Sequence, residues 1–153
     1  MNIRTTLAGD LPALVRVLHK TGLFPAELLP DMIAEFLCAE TSPDLWLTST
    51  VNGEPVGFCY AAPEMLAAGT FNMLAIAVDP ARQGRGVGSA IVEALESELV
   101  RRGARIVIVD TSATDAYAKA RAFYRRQGYA QEATIRDYWA AGDAKVVFWK
   151  SLC

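Results

Sequence analysis

Apolar residues change their spacing several times along this 153-residue chain, and each change marks an element. Leu11, Leu14, Val15 and Leu18 recur at helical steps. They predict a helix over residues 10–21, with Asp10 as its cap, Pro12 in the first turn and Gly22 as its end. A second helical pattern covers residues 26–40, with Pro30 as a candidate break. Residues 3–7 and 45–51 read as strands. Asn52-Gly53 is a strong hairpin turn signal, and residues 55–61 return as the partner strand. Residues 69–78 form another strand, whose last six positions are all apolar, as in a central strand covered on both faces. Val87, Ile91, Leu95 and Leu99 then make a helical stripe, with Glu93, Glu96 and Glu98 outside and Arg101-Arg102-Gly103 at the end. Residues 106–109 read as a buried strand. Thr114 or Asp115 caps a helix that Gly128 stops, and two strands near 129–138 and 145–150 finish the chain, with Gly142-Asp143 between them. The order β-α-α-β-β-β-α-β-α-β-β predicts one α/β domain over residues 1–153, with a sheet of mixed direction.

Composition narrows the class. Hydrophobic residues make up 52% of the chain, which excludes disorder, yet no apolar run approaches the ~20 residues of a membrane span. The N-terminus lacks a signal-peptide core, and the formal net charge of -2 carries no nucleic-acid footprint. Cys38, Cys59 and Cys153 have no metal-ligand or disulfide spacing and predict reduced thiols in a cytoplasmic protein. A single histidine, His19, leaves no metal cluster. Trp46, Trp139 and Trp149 lie on predicted strands, which favours core packing or the interface of a homodimer.

The chemistry concentrates in Arg82-Gln83-Gly84-Arg85-Gly86-Val87-Gly88-Ser89. Alternate glycines let the backbone turn and expose N–H groups just where a helix begins, and two arginines flank them. That combination is an anion site suited to phosphate or pyrophosphate. The alternative is a strand-to-helix turn without a ligand. A Walker loop is excluded because no Lys precedes Ser89, and a dinucleotide fingerprint because Ser89 stands at its third glycine.

The spacing Gln83-x-x-Gly86-x-Gly88 resembles the coenzyme A pyrophosphate loop of the GNAT superfamily of N-acetyltransferases. The run Ala120-Arg121-Ala122-Phe123-Tyr124 through Gly128-Tyr129 resembles that family's second signature. The specific motifs lie between Asn72 and Tyr129, and the first forty residues match only in their helical pattern. The resemblance implies a mixed, mostly antiparallel sheet of about six or seven strands with about four helices. It also implies direct acetyl transfer from acetyl-CoA to an amine; nothing in the chain implies a metal, nucleic-acid or membrane partner.

Residue by residue, the resemblance implies that Gln83, Gly84, Arg85, Gly86, Val87, Gly88 and Ser89 hold the pyrophosphate. A bulged, splayed strand offers the backbone of Ile76, Ala77 and Val78 to the pantetheine arm. Phe123 and Arg126 line the cofactor, and Tyr124 gives a proton to the departing thiolate. An asparagine common in the family is missing, and Thr111 or Ser112 stands in its place. For the base, Glu64 has the best topological position. Asp110, His19 and a water chain remain open. Cys59 reads as core, and residues 24–32 are expected over the acceptor side. A non-catalytic acyl-CoA-binding module and a structural interaction domain are the competing classes.

Overall fold

A computed structural model describes residues 1–153. One seven-stranded sheet runs through it in the order β1-β2-β3-β4-β5-β7-β6. The strands are β1 (Asn2–Thr5), β2 (Leu45–Val51), β3 (Glu54–Pro63), β4 (Thr70–Val78), β5 (Ile106–Ser112), β6 (Ala130–Ala140) and β7 (Asp143–Ser151). Only β4 and β5 pair parallel; every other pair is antiparallel. The helices are α1 (Leu11–Thr21), α2 (Leu29–Cys38), α3 (Val87–Arg101) and α4 (Ala118–Arg126). No helix is long and apolar enough to cross a membrane.

Two apolar clusters divide the sheet. On one face, Leu14, Leu18, Leu29 and Ile33 of α1 and α2 pack on Trp46, Phe58, Ala75 and Ala77. On the other, Ile91, Leu95 and Leu99 of α3 join Met73, Val107, Val109, Tyr124, Val146 and Phe148. Each fully buried aliphatic side chain contributes roughly 1.5–3 kcal/mol. The face of β5, β7 and β6 opposite α4 has no helix over it.

Local chemistry departs from the sequence pattern at several points. Asp10 makes no cap bond to α1. Its carboxylate accepts from Leu7 N–H and from both arms of Arg4, at 2.7 and 2.9 Å, which locks β1 against the start of α1. Pro30 does not break the second helix. A 3-10 turn at Ala26–Leu28 precedes α2, and Pro30 sits in the first turn, where no N–H is needed. Glu96 is not outside: it receives Lys150 Nζ at 2.6 Å and the Tyr129 hydroxyl at 3.0 Å. Trp46 is core, but Trp139 and Trp149 are 49% and 36% exposed. All of β6 is exposed because it is the last strand of the sheet and pairs on one edge only. The hairpin at Asn52-Gly53 forms as read, with φ of 52° and 80°.

Candidate active site

The site begins where β4 leaves β5. Their pairing covers only Thr70, Asn72 and the residue between them, opposite Ile106–Ile108. From Met73 to Val78, β4 keeps its hydrogen-bonding partner on the β3 side alone. The register against β3 slips by one residue, with Tyr60 opposite Ala75 and Ala61 opposite Met73, so Leu74 is a bulge. The bulge exchanges the faces. Met73, Ile76 and Val78 belong to the α3 side, whereas Ala75 and Ala77 face α1 and α2. The apolar run therefore is not covered throughout: Leu74 is 52% exposed. Ile76, Ala77 and Val78 sit opposite Cys59, Phe58 and Gly57 and leave their other backbone edge free.

The glycine loop stands at the end of this free edge. Asp79 accepts Ala81 N–H at 3.0 Å and meets Lys20 Nζ at 3.0 Å, which fixes the 3-10 turn Pro80–Arg82. Gln83 donates its side-chain amide to Val78 O at 3.1 Å, tying the loop to the strand. Gly84 and Gly86 adopt φ of 74° and 81°, a region that costs other residues roughly 1–2 kcal/mol. The first bond of α3 runs from Ala90 N to Gly86 O at 3.0 Å, so the N–H groups of Val87, Gly88 and Ser89 are left for a ligand. Arg85 is exposed beside them. A Cβ on Gly88 would stand 3.2 Å from the Phe123 ring, so glycine there lets α3 approach α4. Gln127 donates to Ser89 Oγ at 2.8 Å across the same gap.

Tyr124 is 7% exposed and packs edge-on against Phe123 and Tyr129 and tilted on Phe148. Burial alone pushes its phenol up to about 12. It keeps its proton at neutral pH, the condition for a donor. Arg126 is exposed at the end of α4. Arg121 donates to Ser112 O and Thr114 O, both at 2.7 Å. Ser112 Oγ is engaged by Thr114 and Asp143, and Thr111 O accepts Trp139 Nε1. Cys59 is fully buried and its thiol is raised to about 12, which leaves it unreactive.

Acidic groups gather at the other side of the splay. Asn72 donates its side-chain amide to Glu64 Oε1 at 2.9 Å and to Asp110 Oδ2 at 3.3 Å. Carboxylates accept only, so the nitrogen of Asn72 must face them. Lys145 Nζ stands 3.3 Å from Asp110 Oδ2 and 4.3 Å from the centre of the Tyr138 ring. Asn72 Oδ1 and Asp110 Oδ1 are buried with no partner. His19 is exposed on α1, and no bond joins it to this cluster. Residues 24–32 pack on the cluster of Trp46, Ala75 and Ala77, with Leu28 half exposed.

Comparison with known proteins decides the class. Residues 14–129 match the model of the acetyltransferase (GNAT) family. The chain belongs to the GNAT acetyltransferase family. The ribosomal protein bS18-alanine N-acetyltransferase of Escherichia coli is 32% identical over 139 residues, 89% of this chain and 85% of that protein. A structure described as a GNAT-family acetyltransferase from Desulfovibrio desulfuricans superposes with a TM-score of 0.92 at 25% identity, covering 99% of both chains. An aminoglycoside 6'-N-acetyltransferase in complex with coenzyme A shares the fold at a TM-score of 0.83 and 18% identity, covering 100% and 98%.

For this acetyltransferase, acetyl transfer to an amine is the reaction to be explained. Its sequence-predicted positions fall into two groups. The loop from Gln83 to Ser89, Phe123, Tyr124 and the free edge of Ile76–Val78 lie around the α3 and α4 ends. Glu64 and Asp110 meet through Asn72. That asparagine, with Lys145 and Tyr138, was not singled out by sequence. The one signal for it is a lone amide residue in the run Phe71-Asn72-Met73 of a central strand.

Proposed function

We propose that the enzyme moves an acetyl group from acetyl-CoA to a primary amine of a peptide or small molecule by direct attack. The observation that carries the reading is the splay beyond Asn72: an anion-binding helix start opens on one side of it, and two carboxylates sit at its base. The N–H groups of Val87, Gly88 and Ser89, with Arg85 beside them, hold the pyrophosphate. The free edge of Ile76–Val78 takes the pantetheine arm in place of a strand, and an N–H near Ile76 polarises the thioester carbonyl. The amine lies toward Glu64 and Asp110. One of these carboxylates, directly or through water, takes its proton. The nitrogen attacks the carbonyl carbon, the C–S bond breaks, and Tyr124 donates to the leaving sulfur. The 32% identical relative is an N-acetyltransferase of an alanine in ribosomal protein bS18, and the only amine of alanine is its α-amine, which supports an α-amine acceptor.

The test is free-thiol detection with acetyl-CoA and a panel of amines, including a peptide that begins with alanine. Thiol release that requires an amine is the expected result. Tight CoA binding without amine-dependent release makes the protein a binding module instead. Glu64→Gln and Asp110→Asn assign the base. The variant that loses about 10²-fold in kcat/KM at low pH but recovers as pH rises has lost it; identical profiles for both variants and the wild type reject both carboxylates.

A further inference from the structure

Asn72, Asp110 and Lys145 lie on three strands, yet their side chains meet on the sheet face that carries no helix beyond β4. On the neighbouring strand β3, the Tyr60 hydroxyl donates to Asp44 at 3.3 Å. Glu64 and Asp110 bring two negative charges, and Lys145 brings one positive charge. Asp143, the next acid along β7, is engaged by Ser112, and Asp137 of β6 holds the Gly142 N–H. The Lys145 ammonium is not a loose surface cation. Its side chain is 16% exposed, seated against the Asp110 carboxylate and under the face of Tyr138. Two oxygens of the cluster remain unsatisfied, Asn72 Oδ1 and Asp110 Oδ1. Asn72 is itself 6% exposed. Orphaned buried acceptors are costly and want N–H donors.

We propose that Lys145 is a specificity-determining residue: it fills one cation position of the acceptor site, so that a single further ammonium is held there, by Asn72 Oδ1 and Asp110 Oδ1. This deepens the acetyltransferase reading and rests on the acceptor lying at this cluster. Two carboxylates less one resident ammonium leave one uncompensated negative charge. A singly charged primary amine, such as the end of a peptide, neutralises it. A polycation brings a second positive charge toward Lys145, with neither Glu64 nor Asp110 left to meet it. In a half-buried setting that repulsion outweighs the screening solvent gives. The acceptor class is therefore a monocationic primary amine, not a polyamine or a multiply charged aminosugar.

The test is equilibrium binding of n-butylamine and 1,4-diaminobutane to the full chain at neutral pH, read from the NMR shift of the Asn72 side-chain amide. Wild type is expected to bind the diamine no more tightly than the monoamine. Lys145→Met should raise the diamine's relative affinity tenfold or more, and Lys145→Arg should behave as wild type. Lys145→Gln repeats the measurement should the Met variant disturb the Tyr138 contact. An unchanged ratio in both neutral variants, a wild type that already prefers the diamine tenfold, or no response of Asn72 to either amine each overturns the proposal. Thiol release is measured on the same samples. Charge selection without release refutes only the enzymatic reading, and release with an unchanged ratio refutes only the selection.

Discussion

Replacing Tyr124 with Phe separates packing from chemistry more cleanly than any other single change in this molecule. The substitution removes one oxygen and leaves the ring. The contacts to Phe123, Tyr129 and Phe148, with centroids 5.6, 6.3 and 5.4 Å away, all persist. The hydroxyl meets no protein partner, and burial is the only influence on its titration. A hydroxyl without a protein partner adds no hydrogen bond to the fold, so its loss costs the fold nothing and gains at most about 1 kcal/mol. The unfolding midpoint should stay level or rise by roughly 2–4 °C. Turnover should move the other way. Losing a proton donor removes roughly 10²-fold, close to 2.7 kcal/mol of transition-state stabilisation. The sign with pH also follows. The active form is the protonated phenol, and raising its value from 10 to about 12 extends that form upward. The deficit should therefore be constant through the neutral range, and wild type should not lose activity near pH 10 on account of this group. Single-turnover thiol release and scanning calorimetry read the two effects. Equal rates with chemistry limiting, or a midpoint lowered by more than roughly 5 °C, refutes the assignment.

Two further outcomes are expected. Gly86→Val should weaken CoA binding at least tenfold by calorimetry while the chain still folds. A Cβ there meets nothing within 4 Å, so the cost is the φ of 81° and the blocked backbone approach; equal affinity rejects the loop as the pyrophosphate site. Asp10→Asn should destabilise the fold by about 1 kcal/mol at neutral pH, with Arg4's one-third exposure screening the pair. The hydrogen bond from Arg4 holds the Asp10 carboxyl below its ordinary value. Its stabilisation is therefore present above about pH 4 and lost as pH falls through the folded value. Wild type and variant should converge in acid in urea titrations, and a constant gap down to pH 2 rejects the pair.

Legibility in the sequence followed the range of the interaction. The α3 stripe of Val87, Ile91, Leu95 and Leu99 is a local period, and all four residues are buried. The Asn52-Gly53 turn is a two-residue signal and formed as read. The turn at Gln83–Ser89 was readable because a glycine-rich loop before a helix is built from consecutive residues, and Gly84 and Gly86 take the left-handed φ it needs. Long-range order was not readable. Asn72, Asp110 and Lys145 meet only because the strands stand in the order β4-β5-β7, which no local pattern encodes. Asp10 has the residue type of a cap, but a guanidinium six residues away in sequence claimed it. The run Ile135 to Trp139 carries three large apolar or aromatic side chains around Arg136 and Asp137. It is exposed because β6 became the sheet edge, a position that its own residues do not specify.

The bulge at Leu74 acts as a frame shift in the folding code. Residues before it report to one face of the sheet in one parity, and residues after it in the other. Leu74 itself belongs to neither frame and is half exposed at the lip of the splay. Most positions this close to reacting groups are constrained twice, by packing and by chemistry. This one is constrained by neither core, and surface changes of that kind usually fall within about 0.5 kcal/mol. With the acceptor placed at the splay as proposed, Leu74 is an open codon beside the chemistry, a place where selection can explore new acceptors while the scaffold stays intact.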